Sequence, residues 1–334
     1  MKNLPHIFKT EKMTLDSGET LSLGENLIKT GKHLTFTADL DDIADGKIII
    51  GHGYMVTHGS WIEITKDEVS VFSYYYYAKP PLCPTLPEPA KHGLKIKDFL
   101  TVNIEAYAKN GGCFAEIMTS NGLFRLDLPA WCANEGEIAV KTEGVSLKNC
   151  RLGWFCEDLA KDIWIVGDSY LGFGSKQRWP YYLYRDGYKN ALLMGFPGMN
   201  SERGIEEFKK WVEYATPKFA VWCLGMNNLD SEDKANEGYV TATSEFLEIC
   251  KERGITPILS ATPNTPKRMS NHKNAWMRSQ KVRYIDFNRA VGADKILEWY
   301  PDMISADQVH PAELGAKALY MQVLIDFPEI MQGE

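Results

Sequence analysis

At 334 residues the chain exceeds the usual size of one domain, so two are expected. Apolar residues make up 44% and charged residues 24%, ordinary values for a soluble globular protein, and a formal charge of -7 argues against a binder that neutralises nucleic-acid phosphates. No apolar run approaches bilayer length and the opening residues 1–6 lack the apolar core of a secretion signal, so a cytoplasmic setting without membrane contact is expected.

The first half alternates in short β-branched and aromatic runs at 34–38, 47–50, 61–64, 69–74 and 101–106, with further strand candidates at 113–118, 123–128, 136–141 and 145–152. Turn residues separate them, among them Asp45-Gly46, Asn110-Gly111-Gly112 and the hairpin-like Ser120-Asn121-Gly122. This predicts an antiparallel β-sandwich, jelly-roll-like, over residues 1–157. The proline-rich stretch 80–89 reads as an extended surface loop of that domain, with a proline-recognition motif as the alternative. His52 and His58 lie close together but without a carboxylate cluster near them in sequence, so no metal site is assigned. The seven cysteines, Cys83, Cys113, Cys132, Cys150, Cys156, Cys223 and Cys250, contain no Cys-x-x-Cys pair and are odd in number, which favours reduced, mostly buried thiols.

The pattern changes near Glu157. Buried-strand runs at 162–167, 190–195, 218–225 and 256–261 alternate with helical stretches at 201–215, 231–253 and 274–291. A last helix is predicted over 311–327, with Leu314, Ala318, Met321, Val323 and Leu324 as its apolar stripe. The β-α-β-α order predicts a parallel sheet with helices on both faces over residues 158–334.

Four pieces of this second half can meet on one rim, because the carboxyl ends of parallel strands converge on a common crevice. Gly167-Asp168-Ser169 closes the first strand: glycine permits a tight turn, and Ser169 can then present its hydroxyl outward as a nucleophile, with its own N–H aimed at the reacting carbonyl. A turn in which Asp168 and Ser169 only cap the next helix is the plain alternative. Gly198, after the second strand, can turn its amide into the site, and Asn227, after the third, can donate its side-chain amide to an oxyanion; a Pro-Gly turn and a helix cap are the respective alternatives. Asp307 and His310 stand three residues apart ahead of Pro311, a spacing that lets the carboxylate hold the ring while the ring receives the serine proton. Of the two histidines beyond residue 160, His272 and His310, only the latter has this partner.

In that order the four pieces resemble the SGNH, or GDSL, hydrolase superfamily, over about residues 162–327. The resemblance implies a flavodoxin-like three-layer α/β/α domain in which Ser169 is the nucleophile, His310 the general base and Asp307 its orienting carboxylate. It also implies an oxyanion hole built from the backbones of Ser169 and Gly198 and the amide of Asn227, and a serine esterase that needs neither metal nor organic cofactor. Asn228 stands where the family usually has aspartate, Gln308 where glycine is frequent, and Gly172 and Gly174 give an irregular spacing after the serine.

No long apolar acyl-binding segment or hydrophobic lid is evident, so short acyl groups such as acetyl are expected. Tyr170, Trp179, Tyr181, Tyr182 and Trp276 are aromatics that can stack on sugar rings, Tyr170, Trp179 and Trp276 being the candidate substrate contacts; the alternative is that they are core. A β-sandwich before an SGNH domain also resembles the layout of some carbohydrate esterases, which makes a small-molecule or oligosaccharide ester the expected partner and leaves oligomeric state open. Two other readings are a lipase or thioesterase acting on longer chains, and a carbohydrate-binding protein with an inactive hydrolase domain.

Overall fold

The structure is a computed structural model and describes residues 8–25, 32–52, 59–73, 89–106, 113–128, 137–171, 176–188, 190–194, 197–228, 237–293 and 298–332. Outside them lie residues 80–88 of the proline-rich stretch, Asn110-Gly111-Gly112, His58, Cys83, Cys132, Gly172, Gly174 and the first residues of the helix predicted from 231; the side chains of Cys113 and Cys156 do so as well. The chain divides into two compact units, Met1–Glu157 and Asp158–Glu334.

The first unit is built from β1 (Phe8–Leu15), β2 (Thr20–Glu25), β3 (Lys32–Leu40), β4 (Lys47–His52), β5 (Ser60–Ile64), β6 (Glu68–Ser73), β7 (Ala90–Lys91), β8 (Asp98–Ala106), β9 (Cys113–Thr119), β10 (Gly122–Leu128), β11 (Glu137–Glu143) and β12 (Leu147–Cys156). They form two six-stranded sheets, ordered β1-β12-β3-β8-β9-β10 and β2-β11-β4-β5-β6-β7, with antiparallel neighbours throughout. Side chains alternate between faces with the period of the strand, so Leu34, Phe36 and Ala38 from β3 and Leu100, Val102 and Ile104 from β8 are buried on one face of their sheet. Sequence reading missed β1, β2 and β7. All three are edge strands, and among the described side chains of β1 only Leu15 is fully buried, so its sequence carries little apolar alternation to find.

In the second unit β13 (Ile163–Gly167), β14 (Ala191–Met194), β15 (Phe219–Cys223), β16 (Thr256–Ser260) and β17 (Tyr284–Ile285) make a parallel sheet ordered β14-β13-β15-β16-β17. The helices are α1 (Trp179–Arg185), α2 (Ser201–Val212), α3 (Glu237–Arg253), α4 (Asn271–Ser279), α5 (Phe287–Ala290) and α6 (Glu313–Asp326). α2 packs on α3, and α1 and α5 pack on α6, as right-handed crossovers leading in opposite directions from β13 require. Each central strand feeds both layers. Ile163, Ile165 and Val221 join a core with Trp179, Leu319 and Phe327, whereas Trp164 and Trp222 point the other way, against Phe208 and Phe246 respectively. Each fully buried Phe contributes about 1.5–3 kcal/mol relative to an exposed one.

Two helical expectations need correction. The stretch 274–291 is not one helix: α4 ends at Ser279, Lys281 takes a left-handed backbone (φ +56°), and the chain re-enters the sheet as β17 before Asp286 caps α5 by accepting from the Arg289 N–H. A lysine in that conformation carries no local sequence signal, unlike glycine. The final helix buries Gly315, Ala316, Leu319, Tyr320 and Val323, while Leu314 and Met321 of the expected stripe are 48% and 53% exposed. Apolar residues surround this helix on all sides, so periodicity alone could not choose its buried face.

Among the described residues Cys150, Cys223 and Cys250 are free and buried, and burial pushes their thiols up to about 11, 12 and 12 respectively, so they stay protonated. No described helix is long and apolar enough to cross a membrane.

Candidate active site

In the strand order β14-β13-β15 the chain reverses direction of travel at β13, and in open parallel sheets the crevice beyond such a switch point is where ligands sit. Ser169 stands there, 9% exposed, opening a short 3₁₀ turn over Ser169–Leu171. Gly167 is required because a Cβ at that position would come within 2.6 Å of the Leu171 side chain and 3.1 Å of the Cys223 carbonyl. The buried Asp168 shapes the turn twice. Its carbonyl accepts the Leu171 N–H (3.0 Å) and its carboxylate the Tyr170 N–H (3.0 Å), so the capping role open to this residue is real and coexists with presentation of the serine.

His310 arrives from the other end of the unit. The Ser169 hydroxyl lies 2.7 Å from His310 Nε2, and His310 Nδ1 lies 2.6 Å from an Asp307 carboxylate oxygen. The other Asp307 oxygen accepts from the Ser305 hydroxyl (2.7 Å) and from the N–H groups of Val309 (2.8 Å) and His310 (2.9 Å). Partial burial pushes the Asp307 carboxyl up, but the backbone N–H donors of His310 and Val309, with the His310 ring and the Ser305 hydroxyl, outweigh it and hold the group well below the usual carboxylate range. Asp307 is thus an anion throughout the neutral range, facing the ring nitrogen that must carry a proton.

The His310 loop is held at both ends. Ser305 donates its N–H to the His310 carbonyl (2.9 Å) and Ala312 to that of Met303 (2.8 Å). Gln308 sits at the tip with φ +59°, a left-handed conformation that glycine would adopt without steric cost. Tyr170, next to the serine, donates its hydroxyl to the Val309 carbonyl (2.6 Å), which ties the nucleophile turn to the histidine loop.

Gly198 is exposed at φ +84°, and a Cβ there would meet nothing within 4 Å. Its need for glycine comes from the backbone angle and not from a crowded approach. Asn227 is half-buried, and its side-chain nitrogen donates to the Asp168 carboxylate (3.2 Å) and to the Met199 carbonyl (3.1 Å), which occupies both amide protons. Bonding to a reacting oxygen therefore requires exchange of one of these contacts. Asn228 accepts from both the N–H (3.0 Å) and the hydroxyl (2.9 Å) of Ser201 at the start of α2, and donates to Glu202 (2.7 Å). An aspartate there could accept the first two but not make the third bond.

The candidate substrate aromatics separate. Trp179 has no exposed surface and packs beside Phe287, and Tyr170 is 5% exposed with its hydroxyl on Val309, so neither offers a face for stacking; both are core. Trp276 is half-buried, edge-on to Tyr239. Two further residues escaped sequence reading. Lys273 on α4, 1% exposed, donates to the carbonyls of Gly225 (2.7 Å) and Asn228 (2.6 Å), bracketing the turn that carries Asn227. Arg268 donates to the Met226 carbonyl (3.0 Å) and to the Asn227 side-chain oxygen. Both follow the fourth strand, whose carboxyl end faces the same rim, and that topology was the available signal.

No family model and no curated protein matches the chain. Among solved structures it is similar to TesA, at 19% identity over 50% of this chain and 98% of that one (TM-score 0.40). A GDSL-like lipase from Bacteroides thetaiotaomicron shares 17% identity over 51% of this chain and 87% of its own (TM-score 0.37). A carbohydrate esterase family 3 protein from Talaromyces cellulolyticus shares 15% identity over 52% of this chain and all of its own, 100% (TM-score 0.41).

Proposed function

We propose that this chain is a serine esterase of the SGNH kind that removes short acyl groups, acetyl above all, from a carbohydrate. The observation that carries the reading is the continuous hydrogen-bonded run from the Ser169 hydroxyl through His310 to Asp307, with 2.7 and 2.6 Å links. In this reading Ser169 attacks the ester carbonyl as His310 Nε2 takes its proton, and the imidazolium so formed is stabilised by Asp307. The tetrahedral oxyanion is held by the N–H groups of Ser169 and Gly198, and by the Asn227 amide once it releases Met199. Collapse expels the alcohol, protonated by His310, and leaves an acyl-serine that water hydrolyses by the same route.

A short acyl group is supported by the sequence, in which no long apolar acyl-binding segment or hydrophobic lid is evident. Turnover of 4-nitrophenyl esters is expected to fall steadily from acetate to octanoate, read as kcat/KM; a rise with chain length would favour the lipase or thioesterase reading instead. Absence of turnover of any ester would favour a binding protein.

Asn227→Ala is expected to lower kcat about 100- to 1000-fold, the usual loss for one oxyanion donor. Full retained activity would mean that the amide serves only to hold Asp168 and Met199 together.

A further inference from the structure

Arg268 stands in the connection between β16 and α4, and that connection is tightly built. Thr265 and Arg268 exchange backbone hydrogen bonds in both directions (2.8 and 3.1 Å), Asn264 accepts the Ser270 N–H (2.7 Å), and the Asn274 side chain holds both the N–H and the carbonyl of Thr262 (2.9 and 2.8 Å). The guanidinium is anchored at one nitrogen. Nη1 donates to the Met226 carbonyl and the Asn227 side-chain oxygen, and the Asn227 nitrogen in turn donates to Asp168, adjacent to Ser169. The cation is therefore one amide group away from the nucleophile turn.

A guanidinium has five N–H groups. Two are committed to Met226 and Asn227, leaving three, on Nη2 and Nε, with no acceptor among the described residues. Arg268 is solvent-exposed, and no described carboxylate pairs with it. Among the described residues, the carboxylates of Asp168 and Asp307 are bonded instead to Tyr170 and Asn227 and to His310, Val309 and Ser305 respectively. A planar, always-charged fork fixed at one end and open at the other is suited to a carboxylate or an oxyanion of similar shape.

We propose that Arg268 forms an anion-binding subsite beside the reacting centre, and that the preferred substrate is an ester of an acidic carbohydrate whose carboxylate it takes. This rests on the esterase reading above. A ligand carboxylate on Nη2 and Nε would leave the Asn227 contact in place, so binding of the acid group and positioning of the amide act through different nitrogens of one side chain.

The test compares two esters that differ only in charge: an acetylated methyl glucuronoside and the acetylated methyl glucoside with the same acetyl position. The wild-type chain is expected to favour the uronate in kcat/KM, and Arg268→Gln to lower the uronate-to-glucoside ratio about tenfold, as loss of one charge-assisted contact of about 1.4 kcal/mol would. Disturbance of Asn227 by the substitution slows both esters and cancels in the ratio. Arg268→Lys, which keeps the charge without the fork, is expected to give an intermediate ratio. In the wild-type chain the ratio should also fall between low salt and about 0.5 M salt, since an exposed contact is screened. A ratio unmoved by both the substitution and salt overturns the subsite while leaving the esterase reading intact, whereas no turnover of either sugar ester or of 4-nitrophenyl acetate removes both.

Discussion

Ser169→Ala reduces turnover of 4-nitrophenyl acetate by about 10⁴- to 10⁶-fold, the range expected when the nucleophile of a cooperating hydroxyl, imidazole and carboxylate is removed. The expectation rests on the proposed triad, in which the hydroxyl has an imidazole at 2.7 Å and that imidazole a carboxylate at 2.6 Å, so that the three would act as a unit. His310→Ala costs nearly as much, and the double variant Ser169→Ala/His310→Ala costs little more than either alone. That non-additivity is the informative part of the measurement. If the two losses multiplied instead, serine and histidine would be acting in separate steps, and the assignment of His310 as the base for Ser169 would fail. Both variants should fold, because His310 lies in a loop secured by backbone bonds from Ser305 and Ala312 and the serine hydroxyl makes its contact with that ring.

The second large effect concerns stability. Lys273→Met removes the buried amine that donates to the Gly225 and Asn228 carbonyls; the Gly225 carbonyl keeps the Asn228 N–H (3.2 Å), whereas the Asn228 carbonyl is left facing an apolar side chain. Hydrogen bonds to a charged donor contribute about 1.5–3 kcal/mol each, and stranding a buried acceptor costs its desolvation, so a loss on the order of 3 kcal/mol is expected. Methionine nearly matches the volume of lysine, which keeps cavity formation out of the result. The measurement is the urea midpoint of the unfolding transition, followed by tryptophan fluorescence. A loss below about 1 kcal/mol would show that water or a backbone shift replaces the lysine without difficulty. Because the bracketed turn carries Asn227, kcat on the acetate ester should fall with the stability, at temperatures where the variant is still folded.

Most core strands were legible from sequence because each buries a full face. Runs such as Lys47–His52, Ser60–Ile64 and Phe219–Cys223 are continuously or alternately apolar, which only a strand in a covered sheet explains economically. Elements that bury little, such as β1, or that turn on one unusual backbone angle, such as the break at Lys281, left no comparable trace.

The site divides in the same way. The sequence by itself determined which groups could do the chemistry: a serine after a buried strand, a glycine and an asparagine after the next two, and an aspartate three residues ahead of a histidine. These signals are local, since each depends on residues adjacent in the chain and on the convergence of parallel strand ends. Tertiary structure decided everything that depends on residues from separate connections. It set Ser169 against His310 across 141 positions, committed the Asn227 protons to Asp168 and Met199, withdrew Tyr170 and Trp179 into the core, and brought Arg268 and Lys273 to the Asn227 turn. Hydrogen-bond partners and burial are properties of neighbours in space, and a one-dimensional pattern fixes such neighbours only where the chain itself makes them adjacent.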